Sequence, residues 1–477
     1  MSMMHPLAQK DIQHIWHPFT QMEEWCKEEP VVITSGQGTM LRDQYGRSYL
    51  DANASIWTNL HGHRHPLLNQ AIVRQLGKIS HSSALGLANE PASLLAEALI
   101  RAANPSRLFG KRGAPCANPK LKKVFYSDDG STALETALKM AYEHARRSGV
   151  SGKPRFLSVK NGYHGDTVGA VSLGQVPLFH RAFGSLLFGT DKVMSPYCYR
   201  CPFNRARPER SEARFSRRCQ WECVDGFEQK LEQACKRGRP HAGWVVEPVV
   251  QGVAGMVVQP QGWLQRVARL ARQASIPLIA DEVMTGFGRT GPLFASHGEG
   301  VQPDFLCVAK GMTGGYLPMA ATLVTDSIYQ SFLGSHSSGK TFYHGHSYTG
   351  NQLGASVSLA SLKLLQQGES NRLRRKAITR NLSAGLQSLW AIPQVGDIRQ
   401  AGTVVGVELV QNWQTRKPWD ASLRIGARVC QVMAARGVLT RPIGDVIVLM
   451  PPYCATPDQI DTMITVLQQA IVEVMAR

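Results

Sequence analysis

The sequence predicts an α/β protein in which a large domain with a mostly parallel sheet is joined to a smaller α+β domain. Two observations carry that expectation. From about Leu121 to Ala309, short apolar runs alternate with longer amphipathic stretches, the rhythm of strand–helix–strand units. Three runs, Trp244–Glu247, Ile276–Glu282 and Phe305–Lys310, are apolar at successive positions, as strands covered on both faces must be. Each also ends in a polar residue, at the strand edge where open α/β sheets bind ligands.

Beyond that region the pattern changes. Helical stretches over Asn351–Gln367 and Asn371–Leu389 precede short strands near Gly396–Ile398 and Val404–Leu409. A further helix, a strand at Val446–Leu449 and a last helix from Pro457 complete an α+β unit. Turn-rich, strand-like pieces fill the first eighty residues and are expected to pack beside it. The expected division is therefore 1–80, 81–350 and 351–477.

At 477 residues the chain is too long for one simple core, and 43% hydrophobic with 18% charged residues is a globular balance. No apolar run approaches the roughly 18 residues of a membrane span. The Met1–Lys10 stretch does not read as a signal peptide, so a cytoplasmic protein without membrane partners is expected. A net charge of +18 raises the question of nucleic acid. The charge is largely diffuse, with concentrations at Lys111–Lys123, Arg200–Arg218 and Arg372–Arg380 that show neither an aromatic RNA-binding pattern nor a helix-turn-helix signal, and no nucleic-acid partner is expected. Of the 10 cysteines, Cys198, Cys201, Cys219 and Cys223 have roughly zinc-ligand spacing. Plain thiols are the preferred reading, with a structural metal as the alternative.

Asp281 ends an apolar run and is followed by the glycine-rich Glu282–Gly291; Lys310 ends the next run, before Gly311-Met312-Thr313-Gly314-Gly315. Pyridoxal phosphate needs this combination: an amine to take its aldehyde, and a carboxylate to keep its ring nitrogen protonated. A lysine buried there also has a lowered pKa, which leaves it nucleophilic. Tyr126–Glu135 leaves a strand and opens a helix, so Gly130 and Ser131 would offer amides and a hydroxyl to a phosphate. A second phosphate contact is suggested by His344–Asn351. Within Asn161–Thr167, the Tyr163 ring is placed to stack on the pyridine.

The order of these motifs resembles the class III (ω-amino acid) aminotransferases of PLP fold type I over essentially the full length. Within them the chain is similar to the 7,8-diaminopelargonic acid synthases of biotin biosynthesis, through Ile15–Met22, Arg441–Asp445 and Met450–Tyr453. The resemblance implies that Lys310 carries the cofactor, Asp281 meets the pyridinium, Tyr163 stacks on it, and Gly130 and Ser131 grip the phosphate. Ser347 would complete that grip from the other subunit of a homodimer. Arg441 would bind the carboxylate of 8-amino-7-oxononanoate, while Arg289 pairs with a donor carboxylate or with Glu247. Phe19, Ile56, Trp57, Gly345 and Tyr453 would complete the substrate pocket. S-adenosylmethionine is the implied amino donor. Members that use it often have Tyr where this chain has Phe19 and a Trp pair where it has Ile56-Trp57, which leaves L-lysine as the alternative. Another ω-amino acid:pyruvate or diamine transaminase, and a non-catalytic regulator on the same fold, are the other readings.

Overall fold

Seven strands make the central sheet, ordered from one edge Leu121–Ser127, Ala320–Thr325, Phe305–Val308, Leu278–Asp281, His241–Val246, Arg155–Val159 and Asp191–Val193. The computed structural model describes residues 4–106, 120–150, 152–174, 176–206 and 217–476. The basic stretches at Lys111–Lys123 and Arg200–Arg218 thus lie partly outside the described residues. Ala320–Thr325 is antiparallel to both neighbours, and the other observed pairings in this sheet are parallel. Strands Leu278–Asp281 and Phe305–Val308 are buried at every position, because helices cover both faces. At one edge, Lys122 and Lys123 of Leu121–Ser127 stay exposed, which protects an unpaired strand edge from further pairing.

Register brings the polar strand ends together. Asp281 lies opposite Cys307, so Asp281 and Lys310 leave adjacent parallel strands at the same edge. Leu278 pairs with Trp244 and Leu157 with Trp244, which sets Glu247 and the Asn161–Thr167 loop along that edge too. The Gly130–Arg147 helix packs beneath it, burying Ala133, Leu134, Ala137, Leu138 and Ala141 at helical spacing against Phe305, Cys307 and Ala320.

A smaller antiparallel sheet, Val395–Ala401, Val404–Leu409, Val446–Leu449 and Pro442–Ile443, shares a core with helices Glu369–Gly385, Ile425–Ala435 and Pro457–Ala476. The N-terminal strands Ile33–Gln37, Met40–Asp43 and Ser48–Asp51 join the C-terminal Val438–Leu439, with Leu50 opposite Val438. That stretch also holds helices the sequence pattern concealed. In Pro66–Leu76 the exposed side carries Leu67, Val73 and Leu76, which blurs the amphipathic period, and only Leu68 and Gln75 are buried. Among the described residues no helix is long and apolar enough to cross a membrane.

Candidate active site

A cavity of about 970 Å³ opens at the C-terminal edge of the central sheet. Asp281, the last residue of its strand, is buried in the wall. Its Oδ1 accepts from the Val283 amide at 3.1 Å, and its Oδ2 lies 2.7 Å from Nδ1 of buried His164. His164 was not singled out from sequence; its one signal is its place beside Tyr163 in the same loop.

Lys310 follows its strand with φ of 45°, a left-handed conformation that a side chain disfavours. Its Nζ stands 4.7 Å from the centre of the Trp57 ring. Burial pushes its pKa down to about 8, against the opposing pull of Asp281 and Glu247. A fraction of the amine is therefore neutral near pH 7, as a nucleophile requires.

Glu247 accepts from the Tyr163 amide at 3.0 Å and the Gly252 amide at 2.7 Å. Burial raises its pKa to about 7, helped by the nearby Asp281 charge and opposed by His164 and the two amides. The Tyr163 hydroxyl donates to Asp166 at 2.6 Å, while the Asp166 amide donates to Ser131 Oγ at 3.2 Å. Burial first, then that bond to Asp166, raises the phenol pKa and keeps Tyr163 protonated. The loop is thus pinned at three points before any ligand arrives.

Asp129, rather than Ser131, caps the Gly130–Arg147 helix, in a reciprocal capping box with Thr132. The Gly130 and Ser131 amides, at a helix start, have no intrahelical carbonyl to meet. A Cβ on Gly130 would fall 2.6 Å from Val283 Cγ1, and one on Gly165, at φ of 115°, would fall 1.9 Å from Ser131 Oγ. Both glycines keep the space above the helix start clear.

Another wall is a turn of unusual hand. Ala54, Ser55, Ile56 and Trp57 have φ of 45°, 47°, 60° and 67° in succession. Such a run of L-residues costs about 1–2 kcal/mol per residue. The turn is held by Asp51, whose carboxylate accepts from the Ser55 amide (3.0 Å) and hydroxyl (2.8 Å), and by Asn53, which accepts from Trp57 Nε1 at 2.8 Å. Trp57 is thereby buried beside Lys310, with Ile56 left 43% exposed at the cavity.

Phe19, Ile56, Trp57, Tyr163, Gly130, Ser131 and Arg441 all line this cavity with Asp281 and Lys310. Phe19 packs edge-on against Phe179 at 5.2 Å. Arg289 and Tyr453, expected to touch substrate, stand behind the wall. Arg289 is 1% exposed and donates to the carbonyls of Pro451 (2.9 Å), Asn59 (3.0 Å) and Trp57 (3.4 Å). Its guanidinium lies 5.1 Å from the Tyr453 ring centre, and Tyr453 donates to the Phe287 carbonyl at 3.0 Å. Arg289 therefore does not pair with Glu247; it supports the backbone that carries Trp57. Gly345 and Ser347 lie on an exposed loop and do not line the cavity of the single chain. The loop stays near it, since His346 Nδ1 is 3.1 Å from Asp128, a cavity residue.

Cys198, Cys201, Cys219 and Cys223 are free thiols, and burial raises Cys198 to about 11 and Cys223 to about 12. Among the described residues no group of three or more His, Cys, Asp or Glu side chains is arranged to hold a metal ion.

A buried amine without a hydrogen-bonded carboxylate, a pre-oriented aspartate and a cleared helix start in one cavity suit an aldehyde, a basic ring nitrogen and a phosphate respectively. The pattern of the class-III aminotransferase family matches residues 22–471. The chain is 45% identical over 463 residues to an adenosylmethionine-8-amino-7-oxononanoate aminotransferase of Geobacter sulfurreducens, covering 97% of this chain and 96% of that one. Its fold is similar to the crystal structure of the enzyme so named from Methanocaldococcus jannaschii, at a TM-score of 0.87 and 39% identity, with 98% of each chain covered. It is also similar to a PLP-bound amine transaminase from an uncultivated Pseudomonas species, at a TM-score of 0.85 and 32% identity, covering 96% of this chain and 98% of that one. The chain belongs to the class-III aminotransferases.

Proposed function

We propose that this enzyme transfers an amino group to 8-amino-7-oxononanoate, forming 7,8-diaminononanoate for biotin biosynthesis, with pyridoxal phosphate as cofactor and S-adenosylmethionine as donor. The observation that supports it most is Lys310, buried with a depressed pKa beside Asp281, in a cavity whose wall also carries Arg441. The chemistry supplied by bound pyridoxal phosphate is an electron sink and an amino-group carrier. Lys310, Asp281, Tyr163, Gly130 and Ser131 would hold it. Asp281, kept in place by His164 and the Val283 amide, would hold a proton on the ring nitrogen. The Lys310 amine would take and return the proton at the substrate's amine-bearing carbon, and Arg441 would seat the acceptor's carboxylate. A second copy of the chain would bring Gly345 and Ser347 to the site. Leu85, Leu87, Tyr343 and Tyr348 support such a homodimer as large apolar side chains left exposed on one chain.

L-lysine as donor is the second reading, favoured by Phe19 and Ile56 in the cavity wall. A half-reaction separates the two. Loss of absorbance near roughly 420 nm with gain near roughly 330 nm reports amine transfer to the cofactor. S-adenosylmethionine is expected to drive that change; lysine acting alone would move the enzyme to the second reading. Lys310→Ala should slow turnover by about a hundredfold or more. A Lys310→Ala enzyme at near wild-type rate would overturn the assignment.

A further inference from the structure

Arg424 occupies an unusual place. It precedes the Ile425–Ala435 helix with φ of 48° and ψ of 43°, a left-handed conformation natural to glycine, and no side chain caps the helix there. Nonetheless its side chain lines the substrate cavity with Trp419, Ala421, Ala427 and Arg441. Strained backbone of this kind is retained where the side chain has work to do.

The charges in that wall do not balance. Arg424 pairs with Glu24, which belongs to the N-terminal segment that also places Phe19 in the cavity. Among the described residues Arg441 has no ion-pair partner. The cavity's own carboxylates are engaged elsewhere: Asp281 with His164, Glu247 with two amides, Asp129 in its capping box, Asp128 beside His346, and Asp445 with the Gly426 amide at 2.9 Å. Of the two guanidinium groups in this wall, only that of Arg424 has a counter-ion among the described residues. That ion pair is weak, because the side chains of Arg424 and Glu24 are 58% and 54% exposed.

We propose that Arg424 is a second carboxylate-reading residue of the substrate cavity, and that Glu24 is its resting counter-ion. The substrate class selected is the acid whose carboxylate is remote from the reacting carbon, read jointly by Arg424 and Arg441. The entering carboxylate displaces Glu24 from Arg424. This inference rests on the proposed amino transfer to an oxo acid.

The test uses the cofactor-loaded enzyme with 8-amino-7-oxononanoate and with its methyl ester, which differ only in that charge. Arg424→Gly suits the left-handed backbone, so the variant is expected to fold as well as the wild type. For the acid its KM should rise about tenfold, the loss of one charge-assisted hydrogen bond, with kcat within about twofold. The ester should be unaffected, and Arg424→Lys should recover part of the loss. Glu24→Gln should lower KM for the acid by removing the competitor. Equal changes for acid and ester, or no change for either, would overturn the role of Arg424 alone. A wild-type enzyme that turns over neither compound would overturn the proposed function, and this inference with it.

Discussion

Single side chains set the proton chemistry, and several depart far from their ordinary ionisation. Glu282, the neighbour of Asp281, is fully buried and accepts from the Ala295 amide (2.5 Å), the Ser296 amide (2.8 Å) and the Ser296 hydroxyl (2.6 Å). Burial nevertheless raises its pKa from 4.5 to about 7. A raised carboxyl pKa means the folded chain holds a proton the unfolded chain has released. Its contribution to stability is complete below the unfolded pKa and is lost as pH climbs through about 7. Glu282→Gln carries no such dependence. The difference in thermal midpoint between variant and wild type should therefore move in the variant's favour as pH rises across that window. A difference that stays flat with pH would count against a neutral Glu282. Asp281, Lys310 and Tyr163 were legible at this scale because each sits where an apolar run or a strand–loop junction turns polar. His164 was not, since its partner Asp281 lies 117 positions away and nothing local announces the bond.

At the scale of elements, backbone shape does more than composition suggests. The left-handed turn at Ala54–Trp57 contains no glycine, so no punctuation in the sequence marks it; only the Asp51 and Asn53 bonds explain its persistence. Its strain positions Trp57 over Lys310. Gly165 shows the opposite case, a glycine whose necessity follows from geometry. Gly165→Ala combines a disfavoured φ of 115° with a Cβ placed 1.9 Å from Ser131 Oγ, so the loop must withdraw from the helix start. The expected result is an enzyme that keeps its far-ultraviolet circular dichroism but loses pyridoxal phosphate on dialysis, read as cofactor absorbance per chain. Full cofactor retention would mean that the loop and helix start are not coupled through this contact.

Over the whole molecule, an ionic network ties the segment after the central sheet's edge strand to the smaller sheet. Arg399, 1% exposed, donates to Asp397 at 2.8 Å, to Glu408 at 2.5 Å and to the Gly255 carbonyl at 2.6 Å. Arg200 donates to Glu408 at 2.7 Å, and the Tyr197 hydroxyl bonds to the same carboxylate. The surrounding negative charge raises the Arg399 pKa despite burial, so it stays charged. Glu408→Ala removes one carboxylate from between two arginines and leaves Arg399 poorly compensated. A destabilisation of about 3–5 kcal/mol is expected in urea unfolding. A loss below about 1 kcal/mol, the range of exposed pairs, would show that the network contributes little to holding these parts together.

Taken alone, the sequence determined the alternation of buried strands and amphipathic helices, Asp281 at the end of one apolar strand and Lys310 just past the end of the next, and the small-residue stretch at Gly130-Ser131. All of these follow from local periodicity and residue chemistry, which neighbours in the chain decide. Tertiary structure alone decided which of the named arginines reach the cavity. Arg441 lines it and Arg289 does not, because Arg289 is consumed by the carbonyls of Pro451, Asn59 and Trp57, from two segments far away in the chain. Only the fold, likewise, brings Glu24 to Arg424 across 400 positions. Hydrogen-bond and charge partners so distant in sequence are set by packing, and no period or motif in the chain encodes them.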